Sequence, residues 1–354
     1  MDVATLLTFA VQSGASDLHL SSGEHPMIRL DGDIKKLDLP PFDREAVRAM
    51  VYDIMNDFQR KSFEEDLELD FSLELVGVGR FRVNVFMQQH GEGAVFRMIP
   101  EQIISLEELG LPPVLGRLCA KERGLVIFTG PTGSGKTTSQ AAMIDLINTT
   151  SERHIVTIED PIEFLHKSKK CLVNQRELGT HTHSFARALR AVLREDPDVI
   201  LVGEMRDLET IRLGITAAET GHLVFATLHS PSTVGSIDRM IDAFPTGQQQ
   251  QIRTQLSDAL ESIVAQTLCK GKEKGRVAAI EILIATGAVR NMIRESKTHQ
   301  IGALMEAGAK SGMQTMDAAI RQLRKTGKVT EEEARRKRLA YGLDQERPDL
   351  RFAA

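Results

Sequence analysis

A glycine-rich segment between an apolar strand and a helix constrains the fold of this 354-residue chain more than any other feature. The residues Gly130-Pro-Thr-Gly-Ser-Gly135-Lys136-Thr137 match the pattern GxxxxGK[ST] in full and directly follow the predicted strand Leu125–Phe128. In such a loop, backbone N–H groups curl around phosphate oxygens, and the N-terminus of the following helix adds a favourable dipole. The segment therefore predicts an α/β fold with a nucleotide site.

The residue types of this loop indicate which groups bind the nucleotide. We expect Lys136 to reach the β- and γ-phosphates of ATP and the Thr137 hydroxyl to ligate Mg²⁺. The predicted nucleotide-binding residues are Gly130, Thr132, Gly133, Ser134, Gly135, Lys136, Thr137, Thr138 and, further along the chain, His222. The alternative is a glycine-rich turn that fits the pattern by chance. The loop by itself predicts binding and not hydrolysis.

Three further strand ends supply polar groups that hydrolysis requires. Apolar strands are predicted at Leu125–Phe128, Ile155–Ile158, Val199–Val202 and Leu223–Leu228. Glu163, Glu204 and His229 follow the last three, and the carboxyl ends of parallel strands line one crevice. We expect Glu204 to serve the metal alone, because Gly203 stands where many P-loop enzymes carry an aspartate. The alternatives are a solvated loop carboxylate for Glu163, a helix-capping acid for Glu204, and structural packing for the histidine, more so for His222 than for His229.

Arginines in the first hundred residues are candidate catalytic groups. Arg80 and Arg82 share the polar face of the alternating strand Gly79–Gln88, and Arg97 interrupts an apolar run, so it needs an anionic partner or an exposed edge. An arginine given to the γ-phosphate of a neighbouring subunit would account for all three. The alternative for Arg80 and Arg82 is that they only keep the strand soluble.

Composition limits the classes of partner. Lys and Arg total 44 against 49 Asp and Glu, and aromatic residues make up 5%, which disfavours nucleic acid because phosphates and bases need basic and aromatic surfaces. The three cysteines form no CxxC pair. The N-terminus lacks the features of a signal peptide, and no apolar run is long enough to span a bilayer. We expect a cytoplasmic protein whose membrane contact is peripheral.

The pattern along the chain predicts separate domains. Residues 1–100 read as a mixed α+β domain, with strands near Asp17–Leu20 and Met27–Leu30, a hairpin turn at Asp31–Asp33 and a helix near Arg44–Phe63. We take 101–120 as a linker and 121–270 as the α/β nucleotide-binding core. After Pro245 we expect mostly helix, with a helical region at 271–330. Residues 331–354 should form a solvated charged helix and a loose tail.

Several motifs together resemble those of the GspE/PilT superfamily of secretion ATPases. They are Gly-Ala-Ser-Asp-Leu-His-Leu at 14–20, the Walker A loop, Thr157-Ile-Glu-Asp-Pro-Ile-Glu163, Asp196-Pro-Asp-Val-Ile-Leu-Val-Gly-Glu204 and the segment Gly221–His229. The segment Ala288-Val-Arg-Asn-Met-Ile-Arg-Glu295 is similar to the signature AIRNLIRE of type IV pilus retraction ATPases. An ordinary surface helix with its arginines on a wet face is the alternative. The chain cannot build the tetracysteine zinc element usual in extension and type II secretion ATPases.

The resemblance implies a PAS-like N-terminal domain, a RecA-like ATPase domain and a six-membered ring with nucleotide between the domains. It implies that Glu163 is the catalytic base, that Glu204 organises Mg²⁺ and water, and that the N-domain arginines stabilise charge. It further implies ATP hydrolysis that drives pilus retraction and twitching motility, through an inner-membrane platform protein beneath the pilus base. The chain departs from many relatives in Thr137, where they have serine, and in the unmatched tail after Thr330.

Three other functions stay open at this point. An extension or secretion ATPase of the same superfamily would share most of these motifs. A RecA-like nucleic-acid motor or an ATP sensor without turnover would share the phosphate loop. The spacing of the residues does not decide which glutamate is the base.

Overall fold

A computed structural model describes residues 2–30, 32–99, 102–273 and 275–343. The chain divides into two compact units, the first comprising Met1–Gln102 with Pro161–Leu165 and the second comprising Ile103–Asp160 with His166–Ala354. The domain boundaries predicted at residues 100, 120, 270 and 330 stay predictions. No helix in the described part of the chain is long and apolar enough to cross a membrane.

The first unit is an antiparallel sheet with three helices among its described residues. The helices are α1 (Val3–Gln12), α2 (Arg44–Asp53) and α3 (Asp57–Asp66); the strands are β1 (Asp17–Ser21), β2 (Met27–Leu30), β3 (Asp33–Lys36), β4 (Glu68–Leu75), β5 (Gly79–Gln88) and β6 (Gly91–Ile99). The strand order is β3-β2-β1-β6-β5-β4. Alternation in β5 buries Phe81, Val83 and Val85 completely, as the sequence pattern predicts for a half-buried strand.

Two details of the first unit differ from the predictions. The single helix expected near Arg44–Phe63 is two helices, because Asn56 starts a new one with a capping box in which its side chain and that of Gln59 each accept a backbone N–H. The strands β3 and β4 were not predicted. The hairpin turn joins β2 to β3, with Leu30 opposite Asp33, although Asp31 itself lies outside the described residues.

The second unit contains a mostly parallel sheet covered by helices, the RecA-like α/β class that the sequence predicts. Its strands are β7 (Gly124–Thr129), β8 (His154–Glu159), β9 (Leu172–Glu177), β10 (Val199–Val202), β11 (Leu223–Thr227), β12 (Leu260–Lys270) and β13 (Arg276–Ile284). Their order is β13-β12-β7-β11-β10-β8-β9, and the pair β12–β13 is antiparallel.

The helices of this unit lie on both faces of the sheet. They are α4 (Val114–Cys119), α5 (Lys136–Thr150), α6 (Phe185–Val192), α7 (Leu208–Glu219), α8 (Thr233–Asp242), α9 (Thr246–Ala259), α10 (Gly287–Arg294), α11 (Ile301–Ala307), α12 (Met316–Lys325) and α13 (Glu331–Ala340), with 3-10 turns at Thr298–Gln300 and Gly308–Ser311. In β7, Leu125 and Ile127 pack into one core cluster while Val126 and Phe128 pack into another. Helices therefore cover the sheet on either side, and its loop ends remain for chemistry.

Two expectations about the second unit need correction. Strands β12 and β13 interrupt the stretch after Pro245 that was expected to be mostly helical; β12 is buried along nearly all its length, so it shows no alternation that would mark it as a strand. The linker expected at 101–120 stays a prediction, and within that stretch Leu115 and Leu118 of α4 are buried in the core. Helix α13 is not fully solvated, because Glu333 is buried and accepts a hydrogen bond from the Lys270 amide at 2.8 Å. The loose tail lies outside the described residues.

Candidate active site

The phosphate loop joins β7 to α5, as the sequence predicts. Gly130, Gly133 and Gly135 adopt φ angles of 134°, 73° and 84°, which L side chains rarely allow. Helix α5 begins at Lys136, and no described side chain caps its N-terminus. Its first N–H groups and those of the loop are thus oriented for an anion rather than for a capping oxygen.

Lys136 lies within the loop rather than in solvent. Its ammonium donates to the carbonyl groups of Gly130 at 2.9 Å and Pro131 at 3.0 Å, and the residue is only 8% exposed. Thr137 and Thr138 follow in the first turn of α5. The lysine charge is thereby held at the mouth of a cradle of N–H donors, where a phosphate chain fits.

Glu204 and His229 meet at the carboxyl ends of neighbouring parallel strands. β10 and β11 pair in register, Val202 opposite Ala226, and each residue follows its strand by two positions. The distance from His229 Nε2 to Glu204 Oε1 is 3.2 Å. The sequence predicts that these two side chains share an edge of the sheet, and the structure brings them into contact.

Arg206 completes this group, and the sequence analysis missed it. Its guanidinium lies 2.7 Å from Glu204 Oε2. Burial would raise the pKa of the Glu204 carboxyl, but the hydrogen bond from Arg206 and the charges of His229 and Arg206 outweigh burial, so the pKa is lower than usual. Glu204 is therefore an ionised carboxylate. Its spacing of two residues from Arg206 in the same loop was the signal that could have indicated the pair.

Hydrogen bonds hold the strand ends of the site together. Thr129, before the loop, donates to the Ser230 carbonyl at 2.8 Å and accepts from the Ser230 amide at 2.8 Å. Thr227 donates to Gln140 on α5 at 3.1 Å, and both side chains are buried. The segment that carries His229 is in this way fixed to the loop strand and to the helix that follows the loop.

The carboxylates after β8 differ in placement. Glu159, buried at the end of β8, accepts from Thr157 at 2.6 Å and from Gln175 at 3.1 Å, which explains why a charge is tolerated there. Glu163 follows four residues later, half-buried, in the segment Pro161–Leu165 that belongs to the first unit. Its role as catalytic base stays a prediction.

The N-domain arginines have acidic neighbours on their own sheet. Arg97 lies opposite Asp17 on β1 and donates to it at 3.0 Å, which supplies the anionic partner that the sequence analysis did not find. Arg82 lies 3.6 Å from Asp70 on β4. Arg80 shares the face of Arg82 in β5. Their predicted role at a neighbour's γ-phosphate stays a prediction, and the pairs show how these charges are held in place within one chain.

His222 does not lie with the phosphate loop. It precedes β11, and its carbonyl accepts from the amide of Gly124 at the start of β7. The five residues of β11 lie between His222 and the sheet edge that carries the phosphate loop, a distance of roughly 16 Å at 3.3 Å per residue. The ring nitrogen Nδ1 instead lies 2.9 Å from the Ala217 carbonyl at the end of α7. The prediction that His222 binds nucleotide stays a prediction, and the structure places this residue before the start of β11.

The segment Ala288–Glu295 is also at this opposite edge, and its two arginines differ, since Arg290 is half-buried and Arg294 is exposed. Arg290 donates to the carbonyl groups of Ser257 at 2.6 Å and Asp258 at 2.7 Å near the end of α9, and to Glu261 at 2.8 Å. Val289 and Ile293 are fully buried. The segment is a packed helix whose arginine stabilises the C-terminus of another helix.

Magnesium fits the hydroxyl and carboxylate at the loop edge. Mg²⁺ prefers oxygen ligands and keeps several waters and substrate phosphates in its shell, so it needs only one or two protein groups. The Thr137 hydroxyl and the ionised Glu204 carboxylate are groups of this kind. Among the described residues there is no cluster of three or more His, Cys, Asp or Glu that would form a complete protein cage.

Comparison with known proteins points to one family. Residues 2–272 match the family described as Type II/IV secretion system protein. The chain is 56% identical to the type IV pilus retraction ATPase PilT of Pseudomonas aeruginosa over 95% of its own length and 98% of that protein. It is 54% identical to a twitching motility protein of Neisseria gonorrhoeae, over 88% of its length and 84% of that protein. A crystal structure of the pilus retraction motor PilT with bound ADP superposes with a TM-score of 0.89 at 48% identity, covering 94% of this chain and 96% of that one.

Proposed function

Since this chain belongs to the type II/IV secretion system protein family and is an ATPase of the pilus retraction kind, we propose that it works as a homohexameric ring. The ring would act on an inner-membrane platform protein at the cytoplasmic face of the pilus base. Its output would be removal of pilin subunits from the pilus, which supports twitching motility. One observation carries the chemistry: an ionised carboxylate paired with a histidine lies at the same sheet edge as a phosphate loop.

In the proposed reaction, water attacks the γ-phosphorus of ATP and the bond to the β-phosphate oxygen breaks, giving ADP and phosphate. Lys136 leaves the loop carbonyl groups and neutralises charge on the β- and γ-phosphates. Glu163 takes the proton of the attacking water. Glu204, oriented by Arg206 and His229, holds the water in line, and Glu204 and Thr137 would hold Mg²⁺. The magnesium ion, when bound, withdraws charge from the phosphate oxygens.

Two further roles complete this scheme, of which the first comes from the family resemblance and the second from the loop geometry. Arg80, Arg82 and Arg97 would stabilise the charge that develops on the γ-phosphate of a neighbouring subunit. Gly130, Gly133 and Gly135 let the loop follow the phosphate chain, since their φ angles are positive. An ordered series of hydrolysis events around the ring would then drive the mechanical step.

The test is ATP turnover by the purified full chain, with Lys136→Ala as the inactive comparison. We expect turnover in the wild type, a loss of at least 100-fold in the variant, and no stimulation by single-stranded DNA. Stimulation by DNA would favour a nucleic-acid motor, and a ring without turnover would favour an ATP sensor.

Deletion of the gene in its host tests the direction of the motor. A retraction ATPase predicts cells that keep their pili and lose twitching. Cells without pili would favour an extension ATPase and contradict the proposal.

A further inference from the structure

Gln266 is a buried polar residue beside the phosphate loop that the proposed mechanism does not use. It lies on β12, one position after Ala265, which pairs with Thr129 at the end of β7. The strand therefore places Gln266 next to the first residue of the loop. The residue is 2% exposed, and a buried amide is costly unless it is hydrogen-bonded.

Both ends of the Gln266 amide are satisfied by the loop and its helix. Nε2 donates to the Ser134 carbonyl at 2.8 Å, and Oε1 accepts from the Ser139 hydroxyl of α5 at 2.9 Å. A backbone carbonyl can only accept, so Ser134 fixes which end of the amide carries the donor. The side chain thus bridges the middle of the loop and the second turn of the helix.

Two loop glycines also pack against Gln266. A Cβ on Gly130 would lie 2.3 Å from the Gln266 carbonyl oxygen, and a Cβ on Gly135 would lie 2.9 Å from Gln266 Nε2. Closeness to the Gln266 backbone therefore requires glycine at position 130 in addition to its φ, and a side chain at position 135 would displace the end of the Gln266 amide. Gln266 therefore contacts the loop at three residues. Its side-chain amide donates to Ser134 and lies beside Gly135, and its backbone carbonyl lies beside Gly130.

We propose that Gln266 is a positioning residue, which holds the phosphate loop in its binding conformation before nucleotide arrives. Glycine-rich segments lose much conformational freedom when they become ordered, so a loop that is already held binds more tightly than a mobile one. Gln266 acts through the Ser134 peptide and α5 and does not touch the phosphates. The inference rests on the proposed function, because it concerns the same nucleotide site.

The experiment is a titration of full-length protein with a fluorescent ADP analogue, together with ATPase kinetics. Gln266→Met keeps the side-chain volume and removes both hydrogen bonds, which leaves the Ser134 carbonyl buried without its partner. We expect the Kd for ADP to rise about tenfold, equivalent to about 1.4 kcal/mol. We expect KM for ATP to rise similarly while kcat stays within about twofold. A merely structural role would lower kcat through a smaller folded fraction and leave KM unchanged.

Gln314→Met is the matched control. Gln314 donates its amide to the carbonyl of Ile280, the residue that pairs with Gln266 across β12 and β13, and it does not contact the loop. This variant should keep the wild-type Kd. Ser139→Ala, which leaves Gln266 in place but frees Oε1, should raise Kd about threefold and decides the matter if Gln266→Met does not fold.

The inference is overturned if Gln266→Met and Ser139→Ala bind ADP as the wild type does, or if Gln314→Met weakens binding as much as Gln266→Met. Wild-type protein that binds ADP without hydrolysing ATP would contradict the proposed function and leave the Kd comparison as a valid test of Gln266.

Discussion

Arg290 allows a stability prediction that can be worked from its contacts. Its guanidinium donates to Ala285 at 2.9 Å and to the Ser257 and Asp258 carbonyl groups at 2.6 and 2.7 Å, and it contacts Glu261 at 2.8 Å. The side chain is 21% exposed. It therefore satisfies carbonyl groups at the end of α9 that the helix itself leaves without donors.

The magnitude follows from what remains after Arg290→Ala. Hydrogen bonds to a charged group contribute about 1.5–3 kcal/mol each, but water reaches part of this site and replaces some of them. Glu261 keeps a partner, because Lys121 lies 2.9 Å away. We expect a loss of about 3 kcal/mol, which corresponds to a fall in Tm of about 6–12 °C for a unit of about 150–250 residues.

The assay is thermal unfolding of the full chain at one protein concentration without nucleotide, since both ring assembly and ligand would shift Tm. Arg294→Ala is the graded comparison: Arg294 makes one bond to the Ser257 hydroxyl and one to Asp258 and is 42% exposed, so its loss should cost about 1 kcal/mol. Arg290→Lys should recover less than half of the loss, because an ammonium cannot reproduce the fork of donors. A Tm for Arg290→Ala within 2 °C of the wild type would refute the reasoning.

Three further outcomes follow from the site and the core. Arg206→Ala should raise the pKa of Glu204 and move the acid limb of the ATPase pH profile to higher pH, and an unchanged profile would contradict the pairing. Because the pKa of Glu204 is lowered in the folded state, its ionised carboxylate stabilises the fold above the usual carboxyl pKa. That stabilisation is lost as the pH falls through the folded-state pKa. Burial raises the pKa of the Cys119 thiol to about 12, so a thiol reagent at pH 8 should label it only after unfolding, as mass spectrometry would show. Gly130→Ala should abolish binding of an ADP analogue, because its Cβ would lie 2.3 Å from the Gln266 carbonyl at a φ of 134°; retained affinity would show that the loop tolerates the clash.

Local patterns made much of the candidate site predictable. The loop Gly130–Thr137 matches a complete motif. The strands before Glu204 and His229 are short, apolar and followed directly by polar residues, so their parallel arrangement followed from rules for sheets. The contact between Glu204 and His229 is the physical result of in-register neighbouring strands. These features depend on residues close together in the sequence.

Other features depend on contacts between distant residues, and the sequence did not indicate them. Asp17 and Arg97 are separated by most of the first unit and meet because β1 and β6 are paired. His222 and His229 stand on either side of one short strand in the sequence. The strand between them places the two at opposite edges of the sheet.

By itself, the sequence determined a phosphate loop, the parallel strands that end around it and the acidic and histidine groups at their ends, because each is encoded by a short pattern with its own backbone geometry. Only the tertiary structure decided that β12 lies beside β7, with Gln266 under the loop, and that Arg290 satisfies the end of α9. The reason is physical. A fully buried strand has no alternating polarity to announce it, and a hydrogen bond between residues far apart in the chain exists only once the sheet order has brought them together.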